Sequence, residues 1–194
     1  MSGPPIEEDR HFLPETAGRR AELVSQADAA AERVAKRSAI ANAVGTSDET
    51  IVDRIEALGL SGDSVRVLDV LPLVHVAWAD GRVQKGERAA VLAILERRGI
   101  PANSDACLLV EGLLERRPSE TFFAESLSLI RDLAARSGEE TADLVDLCAR
   151  VAESSGGLFG FGGRTSDDER ALIGEVAKAL GEEAVRRFQA RFSG

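Results

Sequence analysis

The chain has 194 residues, enough for one domain with an extension, and 44% of them are hydrophobic, so it has the means to build a buried core. Aromatics make up only 4% with no Tyr, so that core must rest on Leu, Val, Ile and Ala, which suits close helix packing. A formal charge of −9, with basic pairs such as Arg19-Arg20 and Arg97-Arg98 set among acids, speaks against a nucleic-acid surface, where clustered cations are needed.

Taken in chain order, residues 1–18 hold Pro4, Pro5 and Pro14 and few apolar side chains, and read as a disordered segment. The segment lacks a basic stretch followed by an apolar one, so no signal peptide is read, and no apolar run reaches the length of a membrane span. The expected location is cytoplasmic. Residues 19–61 read as an N-terminal helical extension. A first, Ala-rich helix runs from about Arg19 to Ala43. Thr46-Ser47-Asp48-Glu49 reads as a capping box, with Ile51, Val52, Ile55 and Leu58 on one face of the helix after it.

From Asp63 to Ala79 the chain is apolar almost all round, which predicts a central helix, bent near Pro72. Helices follow at roughly 85–98, 104–116, 119–136, 139–153, 167–180 and 182–192, two of them opened by the capping boxes Ser137-x-x-Glu140 and Ser166-x-x-Glu169. The fold class is all-α, with no convincing strand. Cys107 and Cys148 lie within apolar helical patterns and no CxxC pair occurs, so both read as reduced core residues. His75, inside the central helix, reads as a structural polar position. With only His11 and His75 in the chain, no catalytic constellation is visible and a non-enzyme is expected.

Ser154 to Gly163 breaks the rhythm with glycines around Leu158, Phe159 and Phe161. A phosphate loop needs Lys-Ser/Thr after its last Gly, and Arg164-Thr165 stands there instead. Two readings stay open for the three apolar side chains: they fold back on the core, or they form a flap that binds a protein partner.

The chain also repeats itself. Val76-Ala77 to Gly81 aligns with Val151-Ala152 to Gly156, and Glu87-Arg88-Ala89 aligns with Glu169-Arg170-Ala171. The offset is 75 residues before the loop and 82 after it, so the second copy carries seven more residues, in essence the glycine-rich loop. Two related helix-loop-helix halves packed as one bundle are the expected architecture over 62–194. In the first half, Asp80 ends a helix and Glu87 opens the next. Two hard oxygens with backbone carbonyls and water are a set that Ca²⁺ or Mg²⁺ accepts. Without a metal the same residues fit an Asx-turn at Arg82 and a cap from Glu87 to Gln84.

The stretch Val76-Ala77-Trp78-Ala79-Asp80-Gly81-Arg82-Val83 with Glu87 resembles the A-D-G-x-V/I-x-x-x-E signature of the TerB-like family, named for tellurite resistance. The resemblance covers roughly 62–192 and implies an all-helical bundle of two related halves. It also implies cytoplasmic stress-associated roles, acidic residues that bind divalent metal, and pairing with other modules. Carried over, the metal positions are Asp80, Glu87 and, in the second half, Glu169. Ser155 stands where the first half has Asp80, and Asp167 and Asp168 are the nearby acids. A divalent-metal-responsive module and a protein-binding adaptor are the two resulting expectations.

Overall fold

The computed structural model describes residues 9–137, 141–154 and 165–192, and every regular element among them is helical. The chain divides into two compact units, Met1–Ala39 and Ile40–Gly194, each taken by itself below.

The first unit is carried by helix α1 (Asp9–Ala43). Its start lies ten residues before the expected Arg19, so residues 9–18 are helical where a disordered segment was expected, with Pro14 inside the helix; residues 1–8 lie outside the described ones. The Ala-rich middle explains the continuity, since Ala pays least to enter a helix. From Thr16 to Ala39 every side chain is exposed except the half-buried Ala30 and Arg37. Leu23, Val24 and Val34 are among those left in the open.

The second unit begins with the fully buried Ile40. Helix α2 (Glu49–Ala57) is capped by Asp48, whose carboxylate accepts from Thr50 N at 2.9 Å. The expected box on Thr46 is therefore two residues off: its hydroxyl accepts instead from Asp48 N and shapes the approach to the cap. Arg54 ties α2 to α6 (Glu120–Ser137) by bonds to Glu125, Ser128 and Asp132.

Where one bent helix was expected from Asp63, the chain forms a 3₁₀ helix, Gly62–Val70, followed by α3, Leu71–Ala77. Asp63 and Arg66 are exposed and Asp69 is half-buried, while Ser64, Val65, Val67, Leu68 and Val70 are buried. An outward residue at every third position matches three residues per turn, which is 3₁₀ geometry rather than α. Pro72 falls in the first turn of α3, where its missing N–H costs no bond, so the helix type changes there instead of bending.

All seven residues of α3 are buried. It forms the axis of the bundle, packed against α4 (Lys85–Arg97), α5 (Asp105–Glu115), α6, α7 (Ala142–Glu153) and α8 (Asp167–Leu180). The α3–α4 and α7–α8 pairs are the two related halves. Helix α9 (Glu182–Phe192) closes the unit against α7 and α8, fastened by Arg187 and Arg191 to Asp146 and by Arg191 to Glu153. Gly174 permits this docking: a Cβ there would lie 3.2 Å from the Phe188 ring. Cys107 and Cys148 are free, buried thiols, and burial pushes Cys148 up to about 12. None of the described helices is long and apolar enough to cross a membrane.

Candidate carboxylate site

Helix α3 ends against Trp78, whose indole N–H donates to Leu113 O at 2.9 Å. The chain then turns through Asp80 and Gly81, the latter at φ 84, a left-handed conformation that glycine adopts without a Cβ penalty. Asp80 Oδ1 accepts from Arg82 N at 3.1 Å, an Asx-turn, and Oδ2 accepts from Gln84 Nε2 at 3.2 Å. Arg82 Nε stands 3.9 Å from the same carboxylate. Gln84 in turn is the N-cap of α4: its backbone N–H donates to Glu87 Oε2 at 2.7 Å, and its side chain accepts from the Glu87 backbone in a reciprocal box. Gln84 thus links Asp80 to Glu87.

The second half repeats the device. Ser166 caps α8, with its N–H on Glu169 Oε2 at 2.5 Å and its Oγ accepting from Glu169 N at 3.2 Å. Glu87 is 1% exposed and Glu169 3%. Both are third residues of their helices, where backbone N–H groups and the positive end of the helix dipole favour a carboxylate.

The repeat brings these two buried carboxyls together. Burial above all pushes Glu87 up to about 7, helped by the charges of Glu169 and Asp80 and a hydrogen bond to Glu169 and opposed by the Gln84 N–H. Near neutral pH Glu87 therefore still holds much of its proton, well above the range in which a carboxyl ordinarily releases it.

Among the expected site residues, Asp80, Glu87 and Glu169 are thus gathered at the entry to α4 and α8, each already used by a turn or a cap. Asp167 and Asp168 are exposed in the first turn of α8. Among the described residues no group of three or more His, Cys, Asp or Glu is placed to hold a metal ion. Ser155 and the loop residues Leu158, Phe159 and Phe161 lie outside the described residues, as does Glu140 of the expected Ser137 box.

The Glu87–Glu169 contact was not foreseen from the sequence. The signal was present in the repeat itself, which makes Glu87 and Glu169 equivalent positions of the two halves.

A family model described as tellurite resistance protein TerB matches residues 70–191, from the end of the 3₁₀ helix almost to the end of α9. No curated protein and no solved structure matches the chain.

Proposed function

The chain belongs to the TerB family, and from that premise we propose that it is a noncatalytic helical module that takes up Ca²⁺ or Mg²⁺ through Glu87 and Glu169, with Asp80 as the further carboxylate. The observation that carries this reading is the buried Glu87 beside Glu169: burial first, and then the charges of Glu169 and Asp80, push the Glu87 carboxyl up to about 7. The negative charges of Glu169 and Asp80 that bear on Glu87 mark a place where positive charge is favoured.

The donor chemistry fits: carboxylate oxygens are the hard ligands these two ions prefer. The spacing provides a pair rather than a ready cluster of three. Glu87 and Glu169 would therefore hold the ion, and Asp80 is retained by Arg82 and Gln84 until it is drawn from its turn. A bound cation supplies the charge that the Glu87 proton otherwise supplies, and so fastens the start of α4 to the start of α8. Carboxylates bind metal in their deprotonated form, so uptake at neutral pH releases a proton. We place this module in a cytoplasmic stress response, as its family suggests.

The test is a Ca²⁺ and Mg²⁺ titration of the full chain, followed by Trp78 emission and by proton release in weak buffer. Trp78 lies two residues from Asp80, and its N–H is anchored to α5. Saturable binding with a released proton at pH 7, lost in Glu87→Gln and in Glu169→Gln, is the expected result. Binding that survives both substitutions, or no binding at millimolar ion, overturns it. A negative titration would leave the second reading, an adaptor, for which Leu23, Val24 and Val34 on α1 are the exposed apolar surface.

A further inference from the structure

His75 lies away from the carboxylate site, in the middle of α3. It is 8% exposed, and its ring stacks on that of Phe123 in α6, with centroids 4.0 Å apart and planes within 6°. Nε2 faces the Glu120 carboxylate at 3.7 Å, while Nδ1 is buried without a hydrogen-bond partner among the described residues. The ring also forms part of the wall of a cavity of about 370 Å³ between α3, α6 and α8, lined further by Leu127, Ser128, Arg131, Glu175 and Val176.

This arrangement suits one protonation state. In the neutral ring, the carboxylate nearest Nε2 favours the tautomer with its proton there, leaving a bare lone pair at Nδ1. A buried acceptor without a partner is a modest cost; a buried N–H without one, carrying positive charge, is a larger one. Protonation would place such an N–H at Nδ1.

The surrounding charges do not settle the matter in its favour. Glu120 and Glu175 attract the proton and Arg117 repels it, but burial outweighs them and holds the imidazole below its ordinary range. Glu120 is itself engaged by Arg117 at 2.6 Å, and Arg131 adds a second cation to the cavity wall. From α4, α5, α7 and the 3₁₀ helix, no charged side chain acts on the ring among the described residues.

We propose that His75 is an acid-operated latch: its protonation in a mildly acidic medium releases α3 from α6 and α8, with water from the cavity reaching Nδ1 as they part. Below the ordinary histidine pKa, the unfolded chain takes a proton that the closed bundle refuses. Stability is therefore lost as pH falls through that window and recovered as it rises. The latch is independent of cation binding, since neither Glu120 nor His75 belongs to the carboxylate site.

The test uses the full chain. With His11 the only other histidine, a proton NMR titration resolves both rings, and His11→Gln assigns them. The expected result is that His75 titrates below the ordinary histidine value, in step with a change in Trp78 emission and near-UV circular dichroism. Thermal melts of wild type and His75→Phe, which keeps the ring stack without the basic nitrogens, supply the second arm. Between pH 7 and pH 5 the wild type should lose roughly 2–4 °C more than the variant. A His75 that titrates at the ordinary histidine value or above, or without any tertiary signal, overturns the latch. So do melts that move in parallel. Should His75→Phe fail to fold, the NMR arm decides alone.

Discussion

Glu87 carries two tasks that pull its proton in opposite directions. As the third residue of α4 it caps Gln84, which favours the anion, and as the buried neighbour of Glu169 it is driven toward the acid. Burial wins, and the sign of the pH dependence follows. The folded state holds this proton up to about 7, whereas the ordinary value is 4.5, so stability is full below 4.5 and declines as pH rises through 7. The decline is at most about 3–4 kcal/mol, taking roughly 1.4 kcal/mol per pKa unit. Glu87→Gln keeps a neutral acceptor for the Gln84 N–H and removes the titration. Urea melts should show a flatter profile between pH 5 and pH 8, with the variant at least as stable as wild type at pH 8. An unchanged slope would mean that Glu87 is not the group whose proton sets the pH dependence. Neither role was hidden in the sequence: cap and ligand were both compatible with Glu87 seven residues after Asp80. Spacing within one half could not reveal the partner carboxyl, which is supplied by the other.

At the scale of the element, capping chemistry was the most legible part of the sequence. The Ser166-x-x-Glu169 box stands as read, because its bonds are local and need no tertiary help. Removing its hydroxyl in Ser166→Ala should cost about 1 kcal/mol, visible as a fall of roughly 2–4 °C in melting temperature. A variant that melts with wild type would show that Glu169 alone fixes the start of α8. The 3₁₀ helix was misread for a physical reason. With β-branched residues at Val65, Val67 and Val70 the segment looks apolar all round, and attention falls on what is buried. The discriminating residues are the polar ones, Asp63, Arg66 and Asp69, spaced by three rather than by three and four. The early start of α1 was missed because three prolines were weighed against the helix, while the Ala-rich stretch behind them favoured it. The His75–Phe123 stack joins residues 48 positions apart and has no local signature.

The whole molecule comprises one well-filled unit and, as the other, a helix whose described side chains are nearly all exposed. The buried apolar core begins at Ile40 and runs to Ala184, with α3 at its centre. Stability on this scale is the free energy of parting that core, and the chain carries its own gauges of the event. A thiol is labelled only when reagent reaches it and it ionises, and the folded core denies Cys148 both: it is 0% exposed and its thiol is pushed up to about 12. Cys107, 6% exposed on α5, is raised by burial as well but lies near the surface. The two sulfurs are thus clocks set to different openings of the same structure. Under native conditions Cys107 should be modified at the rate at which α5 breathes, and Cys148 only as fast as the bundle as a whole comes apart. Mass spectrometry of a labelling time course would read both clocks in one sample, and equal rates at the two sites would mean that the bundle opens only as a unit.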